Sequence, residues 1–135
     1  MKRNKLAALL TAASLFCLLS SCGTSADTAA RHSVALVAKS TYTEFWLSVF
    51  AGAEAAAAEY NLELTIAGPE TEEDYEAQNR MIAEAVEGGA EALVFSAIDF
   101  ENNAAAIDAA AQAGVEIVSI DSGVGSDAVR TYIGT

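Results

Sequence analysis

Three short clusters in this sequence hold the side chains that could do chemistry. Lys39-Ser40-Thr41-Tyr42 runs into Phe45 and Trp46, Asp99 sits in the polar stretch from Ile98 to Glu101, and Asp121-Ser122 follows an apolar run. Together they offer rings, one cation, two carboxylates and hydroxyls. That set suits a neutral polyol. A carboxylate such as Asp121 accepts hydrogen bonds from two neighbouring hydroxyls, and the charge on the acceptor makes those bonds strong. Flat rings offer apolar faces to the C–H side of a pyranose or furanose, in a site that excludes water. Such a site binds without reacting.

Reactive chemistry lacks its residues. The single histidine, His32, precedes the first apolar run, Cys17 lies in an apolar leader, and Cys22 closes that leader. A Ser-His-Asp arrangement, a zinc cluster or a nucleophilic thiol therefore has no basis in this sequence. Gly123-Val124-Gly125 follows a strand-like run but lacks the G-x-G-x-x-G spacing, and no P-loop occurs, so neither a nucleotide nor any other cofactor is expected. The expectation is a binding protein, not an enzyme. The competing enzyme reading, a hydrolase or reductase on the same architecture, needs a nucleophile–base pair or a cofactor loop.

Each site residue also has a structural reading. Phe45 and Trp46 are adjacent, so at 100° per residue both cannot face the sheet; one ring in the core and one in the crevice is expected. Asp121 could instead cap the turn it opens, and Asp99 reads more readily as a turn residue or helix-entry cap. Lys39 either pairs with an acid or signals a negatively charged ligand.

The elements that must position these residues are legible in the hydrophobic pattern. Val34–Ala38 is unbroken apolar, as is a strand buried on both faces. A helix from about Tyr42 to Tyr60 follows, with Phe45, Trp46, Val49, Phe50, Ala53, Ala56, Ala57 and Tyr60 expected on one side; Thr41 and Glu44 have capping-box spacing, and Asn61 is a left-handed stop. Leu62–Ala67 alternates apolar with polar, which places it at a sheet edge. After Gly68-Pro69, Thr71 is expected to cap a helix that carries Glu72, Glu73 and Asp74 in its first turn and stops at Gly88-Gly89. Ala92–Ala97 is a third strand, Asn103–Ala113 a third helix ended by Gly114, Val115–Ile120 a fourth strand and Arg130–Ile133 a fifth. Strands alternating with helices specify right-handed βαβ units, hence an α/β fold with a doubly wound parallel sheet in the order 2-1-3-4-5. In such a sheet the carboxyl ends of strands one, three and four face one crevice, and all three clusters fall there.

Composition sets the location and excludes some partners. Lys2, Arg3 and Lys5 precede the uncharged Leu6–Leu19, and Leu19-Ser20-Ser21-Cys22-Gly23 follows. That order marks residues 1–21 as a secretory signal peptide, too short for a membrane span of roughly 20 apolar residues. The small residues before Cys22 resemble a bacterial lipobox, so Cys22 is the expected lipidation site, with residues 22–32 as a flexible tether and 33–135 as the ligand-binding lobe. The protein would then sit outside the cytoplasm, on a membrane surface but not through it. Beyond the leader all 19 acids face four cations, Arg31, Lys39, Arg80 and Arg130, which makes nucleic acid a poor partner.

The chain resembles the amino-terminal lobe of ribose-type periplasmic solute-binding proteins, the sugar-binding components of ABC transporters. The resemblance runs from Ser33 to Thr135 and is carried by V-A-L-V-A-K-S-T-Y-T-E-F-W with A-G-A-E-A-A-A-A-E-Y, by A-L-V-F-S-A-I-D, by A-Q-A-G-V-E-I-V-S-I-D-S-G-V and by the closing Y-I-G-T. It implies that Tyr42 supplies a polar contact, that Phe45 and Trp46 stack on the sugar, and that Asp121 binds its hydroxyls. Ser122 stands where the ribose-type pattern has Arg, and Tyr42 where it often has Asn. The family has two lobes joined by three crossovers, the first just beyond an Ile-Gly-Thr-like strand. The resemblance therefore implies an incomplete, one-lobe fragment of a monomeric receptor that closes on its ligand and is read by a membrane permease. One lobe makes half the contacts, so weak or no binding is expected of it alone. A ligand-sensing receptor that delivers its small molecule to a membrane signalling partner is the alternative.

Overall fold

A computed structural model describes residues 30–134. The signal peptide, Cys22 and most of the tether lie outside the described residues.

Strand β1, Ser33–Val37, is an interior strand of the sheet. It pairs in parallel with β2, Glu63–Ala67, on one side and with β3, Ala92–Phe95, on the other. Strand β4, Glu116–Ile120, and β5, Val129–Ile133, extend the sheet, giving the order β2-β1-β3-β4-β5 with every pair parallel. This is the order the hydrophobic pattern predicts. A strand flanked on both sides and covered on both faces has no solvated position for a polar side chain, so β1 reads as a continuous apolar run. β2 has one neighbour and alternates exposed with half-buried residues.

Three helices connect the strands: α1, Glu44–Glu59, α2, Tyr75–Glu87, and α3, Ala104–Gln112. Their ends correct two expectations. α1 is capped by Thr43, whose hydroxyl accepts from the Trp46 N–H at 3.4 Å, not by a Thr41–Glu44 box. Ser40 explains the shift, because its hydroxyl accepts from the Tyr42 N–H at 3.1 Å and folds residues 40–42 into a turn that a helix cannot include. α2 is capped by Asp74, whose carboxylate accepts from the Ala77 N–H at 2.8 Å. Thr71, the expected cap, belongs to the preceding turn, and Glu72 and Glu73 therefore lie outside the helix. The stops are where the pattern puts them. Asn61 takes φ 52° after α1 and Gly114 takes φ 94° after α3, conformations that break the helical hydrogen-bond series.

The two faces of the sheet are covered unequally. α2 and α3 bury Ile82, Ile107 and Ala110 against Ala35, Val37, Leu93, Phe95 and Ile117. On the other face, among the described residues, α1 alone brings Trp46 and Phe50 onto Leu36 and Ala38, with Leu64, Ile66, Val94 and Ile120 only partly covered. Among the described residues the less covered apolar side lies on this second face, where Ile120 pairs with the exposed Ile133. Among the described residues no helix is long and apolar enough to cross a membrane.

Candidate functional site

Parallel strands end together, so β1, β3 and β4 deliver their following residues to one rim. Three of those residues meet there. Lys39, two residues past β1, places Nζ 3.0 Å from Asp121 Oδ2, while Ser96, directly after β3, donates its hydroxyl to the same oxygen at 3.2 Å. Ser122 donates to it as well, at 3.3 Å. All the hydrogen bonds that described residues make to this carboxylate go to Oδ2. The side chain is 40% exposed, so Oδ1 is the oxygen able to accept from a ligand hydroxyl.

The backbone of Asp121 is fixed as firmly as its side chain. It takes φ 59°, the left-handed conformation that Asp tolerates better than most residues. Its N–H donates to Ile133 O at 2.9 Å and its carbonyl accepts from the Tyr132 hydroxyl at 2.9 Å, so β5 holds the turn from both sides. Partial burial works to raise the carboxyl pKa, but the Lys39 ammonium and the Ser96 and Ser122 hydroxyls outweigh it and hold the group below its ordinary value. Asp121 is a carboxylate at neutral pH, with its charge balanced by Lys39.

The adjacent rings divide as their spacing requires. Trp46 is 1% exposed, beneath α1, with Phe50 at a centroid distance of 6.3 Å and its indole N–H donated to Glu72 at 3.0 Å. Phe45 is 56% exposed in the first turn of α1 and meets Trp46 edge-on at 5.0 Å. A stacking role for both rings does not fit this placement: Phe45 has a face to offer, and Trp46 is enclosed by the core and serves as the support behind it. Tyr42, 69% exposed, stands in the turn before α1 on the same rim.

Asp99 follows its structural reading. Its Oδ1 accepts from the Asn102 N–H at 2.7 Å and the Glu101 N–H at 3.0 Å, closing the turn that leads into α3. The Asn102 N–H is the main cause that holds its carboxyl below the ordinary value. His32 lies at the opposite end of the sheet, with Nδ1 2.7 Å from Glu91 Oε2. Among the described residues no group of three His, Cys, Asp or Glu side chains could hold a metal ion.

Sequence reasoning placed Asp121 and Ser122 at this rim but missed Ser96, which it absorbed into an apolar run, and Tyr132. A lone hydroxyl at the carboxyl end of a buried strand was the available signal for Ser96. Nothing in the residue types tied Lys39 to Asp121, because the pair spans 82 positions of the chain and meets only through the strand order.

Comparison with known proteins agrees with this architecture. Residues 34–135 match the family model for the periplasmic binding protein domain. The D-ribose/D-allose-binding protein of Pseudomonas aeruginosa is 33% identical over 123 residues, which cover 90% of this chain and 38% of that protein. Among solved structures, a carbohydrate transporter solute-binding protein from Agrobacterium radiobacter, in complex with D-arabinose, superposes with a TM-score of 0.76 at 30% identity, over 80% of this chain and 36% of that one. A sugar transporter from Clostridium phytofermentans gives 0.74 at 31% identity, over 78% and 40%. The chain thus spans less than half the length of each of these relatives. With the five-stranded parallel order and the match over residues 34–135 in agreement, the chain belongs to the periplasmic binding protein family.

Proposed function

We propose that this protein is the extracytoplasmic substrate-binding component of an ABC importer for a neutral sugar or related polyol, anchored through a lipid on Cys22 and read by a membrane permease. The observation that carries the reading is the Asp121 carboxylate, held ionised by Lys39 on the rim that also carries the exposed Phe45. Two charge-assisted bonds from vicinal hydroxyls to Asp121 Oδ1 fix the ligand, and Phe45 takes the C–H face. Ser122 and Tyr42 supply further hydroxyls. Lys39 spends its charge on Asp121, which favours a neutral ligand over a sugar acid or sugar phosphate. The names of the relatives, a D-ribose/D-allose binder and a protein in complex with D-arabinose, support pentoses and hexoses as the class to test.

In the two-lobe arrangement of the family, ligand closes the lobes only through contacts made better in the closed state. The rim residues would supply one side of those contacts. A site contacting one side of a sugar is expected to bind in the millimolar range, where a Kd of about 1 mM corresponds to about −4 kcal/mol.

NMR spectra of the full chain, held in solution with a mild detergent for its apolar leader, test this reading. Millimolar D-ribose, D-allose or D-arabinose should move the resonances of Phe45, Asp121 and Ser122, and sodium gluconate should not. Asp121→Asn should abolish the response. Sugars that leave all three residues unmoved, or gluconate moving them more than any neutral sugar, would overturn it.

A further inference from the structure

One polar side chain of the core has no part in the site described above, yet it touches both strand ends that build it. Gln78 lies in the first turn of α2 and is 0% exposed. Its amide nitrogen donates to Ala38 O at 2.9 Å and to Ser96 O at 2.9 Å, and its amide oxygen accepts from the Ile98 N–H at 3.1 Å. Both of its donor hydrogens are used, across two different strands. The β1–β3 ladder has its last paired residues at Val37 and Phe95, followed by one bond from the Ser96 N–H to Val37 O at 3.2 Å. Beyond that point the backbones must part to open a crevice, and parting would leave buried carbonyls without donors. Gln78 fills the gap between them.

We propose that Gln78 is the positioning residue of the crevice: one buried amide that sets the separation of the β1 and β3 carboxyl ends, so that Lys39 and Ser96 converge on Asp121. The residues it grips are the ones that matter for this. Ala38 immediately precedes Lys39, and Ser96 is itself a donor to Asp121 Oδ2. Each grip is made to a main-chain group, so it fixes backbone position rather than a mobile side chain. A buried amide meeting three main-chain groups also resists substitution, because removing it strands two carbonyls and an N–H, each costly to leave unpaired.

That this spacing serves a sugar rests on the proposed function, but the geometric role does not, and the test reads the geometry first. Asp121 reports on its own donors through its titration. In the full chain, labelled with carbon-13 and held in mild detergent, Gln78→Met keeps the length and removes all three hydrogen bonds. The titration midpoint of the Asp121 carboxyl should rise as the Lys39 and Ser96 contacts loosen. A core residue with no positioning role would lower the melting temperature and leave that midpoint where it is in the folded protein, which would overturn the proposal. The wild type gives a second reading that needs no variant to fold. Its Gln78 side-chain amide protons should shift with the same midpoint as Asp121, and amide protons that ignore that titration would equally overturn it. Neither reading uses a ligand. Sugar binding that fails while the midpoint moves removes the proposed function and leaves the role of Gln78 standing.

Discussion

Asp121 concentrates the side-chain contacts of the carboxyl rim in one side chain. Three donors from three places in the sequence converge on its Oδ2, and its backbone sits in a left-handed turn held by β5. The pH dependence follows from the direction of its shift. A carboxyl whose folded pKa lies below its unfolded value contributes stability above the unfolded value, and loses it as pH falls through the folded one. Thermal melts between neutral and acid pH should therefore show the Lys39–Asp121 contribution intact down to the ordinary Asp range and lost below it. Lys39→Met should bring that loss to higher pH, since it removes the chief group that holds the carboxyl ionised. Asn is at ease in left-handed backbone, so Asp121→Asn should keep the turn and discard the charge, separating ligand contact from fold.

At the scale of one element, α1 divides a pair of adjacent rings between the core and the surface. Its polar turn and Thr43 cap fix where the helix starts, and that start decides which of residues 45 and 46 faces the sheet. Trp46→Ala should destabilise the protein by about 3–5 kcal/mol, the cost of removing a large buried ring. Phe45→Ala should stay within about 0.5 kcal/mol of the parent, because the ring is mostly in solvent, and should lose the sugar-induced NMR shifts. Denaturant unfolding of the two variants checks this, and similar costs for both would contradict the division. The adjacency was legible in the sequence; which ring went inward was not, because Ser40 displaced the expected cap by two residues.

At the scale of the molecule, the described residues form a sheet with a well-covered middle and weaker edges. β1 and β3 are paired on both sides, whereas β2 and β5 have one neighbour each, and β5 is exposed along most of its length. Hydrogen exchange should accordingly be slowest at the amides of Leu36, Val37, Leu93 and Phe95 and fastest in β5. Exchange at Arg130 to Ile133 as slow as in β1 would mean that the edge is covered in solution. The unequal faces have the same origin, with two helices on one and a single helix on the other.

The sequence by itself determined the strand order, the helix stops and the rim on which Asp121, Ser122 and Phe45 lie, because each follows from a local period: continuous apolar runs for central strands, alternation for the edge, left-handed residues after helices. Tertiary structure alone decided that Lys39 neutralises Asp121, that Ser96 joins them, that Trp46 is sealed while Phe45 is open, and that Gln78 spans two strand ends. These are contacts between residues far apart in the chain, and periodicity carries no information about which distant atoms a parallel sheet brings within hydrogen-bond reach.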